Sequence, residues 1–217
     1  MRKNTVPKKI QYIRDIFAHE DENLANVALS LSTQERGMQI GADEGKILYT
    51  LARMIKARKI IELGVLNGYS SIWIARALPD NGILYSLEKD TQRIKICENN
   101  FRSCGVSDKI ELISGPALDS LSMLENKGPF DMIFIDADKG NYCKYLDWAE
   151  KNIKSGGLIV ADNTFLFGAV CDDADKEVKP AMIKIMQEFN LRLSDPQKYS
   201  AIMIPTHEGL TVAVKEF

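Results

Sequence analysis

From Lys59 onward the chain alternates short, β-branched apolar runs with helix-length segments, and this pattern constrains the fold more than anything else in its 217 residues. Lys59-Ile60-Ile61-Glu62-Leu63-Gly64 reads as a buried parallel strand that ends at a glycine. Further strands are predicted at Ile83 to Leu87, Lys109 to Ile113, Phe130 to Asp136 and Gly157 to Asp162. The helices predicted between them run over Tyr69 to Leu78, Thr91 to Cys104, Leu118 to Glu125 and Asn141 to Ile153. Such alternation gives a parallel sheet covered by helices on both faces. Two last runs, Ser200 to Ile204 and Leu210 to Val214, are separated only by Pro205-Thr206-His207-Glu208-Gly209. That connection is too short for a parallel crossover, so an antiparallel hairpin must close the sheet.

The stretch from Pro7 to Ala57 carries apolar residues at helical spacing, among them Ile47, Leu48, Leu51, Met54 and Ile55, and no strand signal. The expected organisation is one domain over 1–217, with an N-terminal helical part at 1–57 and an α/β core at 58–217. A composition 45% hydrophobic and 27% charged excludes a disordered chain, and a net charge of -2 lacks the positive surface that nucleic acid requires. Basic residues collect only at the N-terminus, as Arg2, Lys3, Lys8, Lys9 and Arg14, where a solvated helix face is the plain reading. Cys97, Cys104, Cys143 and Cys171 have neither paired nor zinc-like spacing and read as free thiols of a reducing compartment. No apolar run is long enough to span a bilayer, so no membrane partner is expected and the cytoplasm is the expected location.

In an open α/β sheet, ligands bind beyond the carboxyl ends of the strands. The first such turn, Glu62-Leu63-Gly64-Val65-Leu66-Asn67-Gly68, lacks the three-glycine dinucleotide fingerprint, which favours a ligand without a pyrophosphate. The helix that follows offers free amides to a carboxylate. Glu88, at the end of the second strand, suits the two hydroxyls of a ribose; its alternative is a helix N-terminal acid, a role open equally to Asp90. Asp136, Asp162 and Asn163 follow the fourth and fifth strands, whose ends would lie about 5 Å apart if the strands are neighbours. Two carboxylates and an amide are donors for a hard cation, Mg²⁺ or else Ca²⁺ or Mn²⁺, and suit zinc poorly. The alternative is that one aspartate caps a helix and the other is a surface acid. Lys139 is the candidate proton acceptor, provided that a cation and partial burial lower its pKa; otherwise it is a solvated loop charge.

The chain resembles the cation-dependent O-methyltransferases that include catechol and caffeoyl-coenzyme A O-methyltransferases, from Met38 to the C-terminus. The matching segments are Met38-Gln39-Ile40 with Asp43-Glu44-Gly45, Ile61 to Val65 with Gly68-Tyr69-Ser70, Gly115-Pro116-Ala117-Leu118, Phe134 to Tyr142, Asp162-Asn163-Thr164 and Glu208-Gly209-Leu210-Thr211. The resemblance implies a Rossmann-like S-adenosylmethionine methyltransferase fold. Its seven-stranded, mostly parallel sheet would insert the last strand between the fifth and sixth, carry extra N-terminal helices and belong to a homodimer. It places Ile40, Glu62, Gly64, Val65, Ser70, Glu88, Ala117 and Asp136 at S-adenosylmethionine. Asp136, Asp162 and Asn163 fall on the cation, Lys139 on the base, Met38 near the transferred methyl and Asp138 at a small hydroxylated acceptor. Plant members follow the Asp-Asn-Thr block with Leu-Trp-Asn-Gly, whereas this chain has Phe165-Leu166-Phe167-Gly168, so caffeoyl-coenzyme A is not carried over. The other readings are an NAD-dependent oxidoreductase on a related sheet, opposed by the missing glycine, and a non-catalytic binding module. His19 and His207 attract no role.

Overall fold

The computed structural model describes residues 6–32, 35–174 and 176–217; Arg2 and Lys3 of the basic N-terminal cluster lie outside them. In chain order the main elements are α1 (Lys8–Phe17), α2 (Glu22–Val27), α3 (Ala42–Met54), β1 (Lys59–Leu63), α4 (Tyr69–Ala77), β2 (Ile83–Glu88) and α5 (Thr91–Ser103). There follow β3 (Ile110–Ser114), α6 (Ala117–Leu124), β4 (Phe130–Ile135), α7 (Tyr142–Asn152), β5 (Ile153–Ala161), α8 (Pro180–Leu193), β6 (Tyr199–Ile204) and β7 (Leu210–Lys215). The seven strands form one sheet in the order β3-β2-β1-β4-β5-β7-β6. The pairs β2–β3, β1–β4 and β4–β5 are parallel. β7 runs antiparallel between β5 and β6, as the short connection before it requires.

The chain divides into two compact units, one of residues 1–58 and 65–115, the other of 59–64 and 116–217. In the first, α4 is buried nearly all round, through Tyr69 to Ala75 and Ala77. Asp90 caps α5 by accepting a hydrogen bond from the Gln92 amide at 2.9 Å, and the helix buries Cys97 and Phe101. Arg14 of α1 pairs with Asp43 of α3 at 2.7 Å, and Glu44 reaches back to the Gly41 amide at 2.7 Å to close the start of α3. Much of the Met38 to Gly45 segment is therefore occupied in starting a helix.

In the second unit Ile60, Ile61, Leu63, Met132, Ile133, Ile135, Ile159 and Val160 are wholly buried. Helices cover both faces of a parallel sheet, so its strands cannot alternate with polar residues. On α7 the buried residues Tyr142, Tyr145, Leu146 and Ala149 recur at helical spacing. α8 starts at Pro180, where a missing amide costs nothing, and buries Met186, Phe189 and Leu193, while Met182 is only half-buried.

The predicted boundaries from Lys59 onward hold to within one residue except at the start of β5. α7 ends at Asn152, and β5 begins at Ile153 instead of Gly157. Ile153 pairs with Phe130, and the register shifts before Met132 pairs with Leu158, so the exposed Lys154-Ser155-Gly156 forms an irregularity that breaks the apolar pattern. β3 starts at Ile110 because Ser107–Lys109 is a one-turn helix, with the Lys109 ammonium bonded to the Leu78 carbonyl at 2.9 Å.

Gly64 ends β1 with φ of +86°, and a Cβ there would stand 2.2 Å from the Asp136 carbonyl oxygen. The glycine is needed where the end of β1 meets the backbone that follows β4. Adding left-handed strain to an overpacked contact, Gly64→Ala is expected to destabilise the protein by about 3 kcal/mol and lower its thermal midpoint by roughly 6–12 °C. Differential scanning calorimetry reads this directly, and an unchanged midpoint would mean that the close approach is not maintained in solution.

Candidate functional site

The order of strands reverses between β1 and β4, which places the expected binding region at their carboxyl ends. The residues singled out by sequence fall into two groups, one in each unit.

In the first unit, Glu88 ends β2 and is 4% exposed. Its Oε2 accepts from the Val65 amide at 3.1 Å and the Leu66 amide at 3.0 Å, and its Oε1 from the Asp90 amide at 2.9 Å. The capping role that sequence left open between the two acids belongs to Asp90. Glu88 instead fixes the turn after β1, in which Leu66 takes a left-handed φ of 59°. A carboxylate has about four acceptor directions, and three are taken by backbone, which leaves room for about one further donor instead of two.

The same turn is held from its other side. Asn67 is buried, and its amide donates to the Val27 carbonyl at 3.0 Å and to Gln39 Oε1 at 2.8 Å. Asn100 donates to the Asn67 carbonyl at 2.9 Å. Val65 is buried, Ser70 lies nearly buried in the first turn of α4, Ile40 is buried just before α3, and Met38 is exposed at the end of a one-turn helix over Glu35–Met38.

In the second unit, Glu62 is wholly buried in β1 opposite Phe134, and Ala117 opens α6 half-buried. The β4–β5 ladder pairs Ile135 with Ala161, and the Asp162 amide donates to the Ile135 carbonyl at 3.0 Å. Asp136 and Asp162 are therefore the next residues on two adjacent parallel strands. Neither caps a helix: the one-turn helix after Asp136 has Asp138 before it, and the one after Asp162 has Gly168.

Asn163, at φ of 59°, donates to Asp162 from its backbone at 2.7 Å and from Nδ2 at 3.3 Å. With the amide nitrogen facing Asp162, its oxygen is the atom left for another partner. Two carboxylates and an amide oxygen at two neighbouring strand ends fit a hard cation that keeps water or substrate in its other positions. Among the described residues no group of three or more His, Cys, Asp or Glu side chains gathers to hold a metal.

Lys139 follows on a one-turn helix (Lys139–Asn141), with its ammonium 2.9 Å from Asp136 Oδ1 and 2.7 Å from the Tyr142 hydroxyl. Burial by itself draws the ammonium below lysine's usual range, but the attraction of Asp136, with lesser contributions from Tyr142 and Asp162, outweighs it and the net displacement is upward. Sequence reasoning asked for the opposite direction, because it considered Lys139 beside a cation and not beside a bare carboxylate. Asp138 is exposed, with its carboxylate accepting from Tyr145 Oη at 2.5 Å and from Asn141 Nδ2.

Tyr142, Asn67 and Glu208 are structural participants to which sequence reasoning gave no role. Glu208 is buried, and it accepts from the Phe167 amide at 3.1 Å through Oε2 and from the Phe165 amide at 2.9 Å through its backbone carbonyl. Leu166 and Phe167 are both left-handed, at φ of 50° and 57°, so the hairpin connection braces a strained loop directly after Asn163. Tyr142 and Glu208 lay within the quoted segments, but a buried tyrosine and a loop acid carry no sequence signal for these contacts.

Known proteins resemble the chain along nearly all of its length. A family model described as O-methyltransferase matches residues 16–216. A catechol O-methyltransferase of Niastella koreensis is 38% identical over 213 residues, covering 94% of both chains. A caffeoyl-CoA O-methyltransferase of Populus kitakamiensis is 32% identical, over 93% of this chain and 91% of that one. The crystal structure of the O-methyltransferase TomG from Streptomyces achromogenes, in complex with SAM, superposes with a TM-score of 0.85 at 33% identity and covers 95% of each chain.

Replacing Glu88 separates its backbone role from any role with a ligand. Glu88→Ala removes the acceptor of three amides, and the ligand-free protein is expected to lose about 2 kcal/mol or more in chemical denaturation. Stability equal to that of the parent would show that Glu88 does not hold the turn.

Proposed function

Because the chain belongs to the O-methyltransferase family, we propose that it moves a methyl group from S-adenosylmethionine to an oxygen of a small, catechol-like acceptor, with a divalent cation in the site. The observation that carries this reading is the placement of Asp136 and Asp162 at adjacent ends of β4 and β5, with Asn163 and Lys139 beside them.

Asp136, Asp162 and the Asn163 amide oxygen would hold the cation, Mg²⁺ in the first instance and Ca²⁺ or Mn²⁺ as alternatives. When bound, such a cation lowers the pKa of a hydroxyl near it, and the sulfonium donor supplies an already activated methyl. Lys139 would take the acceptor's proton. A cation on Asp136 would weaken the largest attraction that raises the Lys139 pKa, and burial already acts in the direction that a proton acceptor needs. Asp138 would meet the acceptor, Glu88 would take a ribose hydroxyl, and the turn around Val65 with Ser70 in α4 would hold the rest of the donor. Much of the rate then comes from placement.

Ile40, Glu62, Gly64 and Ala117 complete the donor set, and Met38 borders the transferred methyl. Glu62 would act from within the sheet, since it is wholly buried. The Phe165-Leu166-Phe167-Gly168 sequence departs from the Leu-Trp-Asn-Gly of the plant members, and the reading therefore takes a simple vicinal diol as acceptor and not a coenzyme A thioester. No helix of the described residues is long and apolar enough to cross a membrane, and the resemblance carries a homodimer with it.

Methyl transfer from labelled S-adenosylmethionine to a panel of vicinal diols and simple phenols, with and without Mg²⁺, tests the reading. Turnover is expected only with adjacent oxygens and is lost on chelation; full activity towards catechol in excess chelator would overturn the cation assignment. Lys139→Ala is expected to lower kcat by about 100-fold or more while donor binding, followed by titration calorimetry, stays unchanged.

A further inference from the structure

Tyr142 is the first residue of α7 and is wholly buried. Its ring packs against Phe189, with centroids 5.2 Å apart in an edge-on arrangement, and against Tyr145 at 6.3 Å. A phenylalanine would fill that space equally well, so packing does not explain the hydroxyl. A buried hydroxyl must be hydrogen-bonded, and the partners of this one are specific. It accepts from Lys139 Nζ at 2.7 Å and lies 2.9 Å from the Asp162 carbonyl oxygen and 3.3 Å from that of Ile135.

The phenol has one proton, and the nearer carbonyl, that of Asp162, takes it. The contacts then run in one direction, from the lysine ammonium to the tyrosine oxygen and from the tyrosine proton to the backbone of Asp162. Lys139 has three protons. One goes to Tyr142 and one to Asp136 Oδ1, which leaves one for a further acceptor. If Asp136 is drawn to a cation, Tyr142 is the partner that keeps the lysine nitrogen in place.

We propose that Tyr142 is a positioning residue: its hydroxyl fixes the Lys139 nitrogen relative to the backbone that carries Asp162. The inference rests on the role given to Lys139 under the proposed function. It assigns Tyr142 no proton transfer, only the location of the group that makes one.

Tyr142→Phe keeps the ring and removes the bond. Because small misplacements of a reacting group can cost about 100-fold in rate, kcat should fall by roughly 10- to 100-fold, with KM for S-adenosylmethionine unchanged. In a Lys139→Ala background the same change should lower kcat no further, since both act through one group. A general packing role would lower kcat by the same factor in both backgrounds, and that result, or a Tyr142→Phe enzyme as fast as its parent, overturns the proposal. A crystal structure of Tyr142→Phe supplies a readout independent of activity: held by Asp136 alone, the Lys139 nitrogen should swing away from residue 142 and from the Asp162 backbone, and finding it unmoved overturns the proposal. If the parent protein transfers no methyl group, the functional reading fails on that result alone, and the position of Lys139 in the variant still decides whether Tyr142 anchors it.

Discussion

The parallel register between β4 and β5 governs everything proposed for the second unit. Ile135 pairs with Ala161 there, and the ladder continues through the Asp162 amide to the Ile135 carbonyl. Asp136 and Asp162 leave the sheet at the same level for this reason. Slipping one strand by one residue would turn every side chain on it to the opposite face and separate the two carboxylates. The apolar residues of both strands, buried on both faces, make such a slip costly. The same backbone supports Lys139, because Tyr142 ties its ammonium to the Asp162 carbonyl.

The C-terminal hairpin does more than complete the sheet. Gly209, at φ of +78°, lies so near Phe165 that a Cβ would stand 2.8 Å from its ring. The Gly209 carbonyl accepts from the Thr164 amide at 3.1 Å and its hydroxyl at 3.0 Å, and Thr211 donates to the Thr164 hydroxyl at 2.9 Å. With the two Glu208 contacts, these bonds hold the backbone from Thr164 to Phe167 against its own left-handed strain. Asn163 is thus fixed on one side by Asp162 and on the other by a braced loop. The Glu-Gly-Leu-Thr segment has a mechanical reason to accompany the Asp-Asn-Thr segment.

Much of this was legible in sequence because it rests on local patterns. The strands show as β-branched runs, and the hairpin follows from a connection of five residues between β6 and β7. That Asp136, Asp162 and Asn163 follow neighbouring strands is legible because a residue at a strand's carboxyl end has a predictable place in a parallel sheet. What escaped depends on tertiary contacts. The start of β5 was hidden by Lys154-Ser155-Gly156, which is polar yet follows a residue already paired with β4. The backbone duties of Glu88 join residues 23 and 22 positions apart, which no local spacing records. The direction of the Lys139 pKa depends on its pairing with Asp136, a distance that sequence does not give.

The central claim is that Asp136, Asp162 and Asn163 together hold one hard cation. It is tested most directly by soaking crystals of the protein with Mn²⁺ and recording anomalous scattering at the manganese edge. The account predicts a single strong peak bonded to oxygens of all three residues, with Asp136 drawn from Lys139 towards the metal. A map without a peak at these strand ends, or a peak elsewhere while Asp136 stays paired with Lys139, would contradict it.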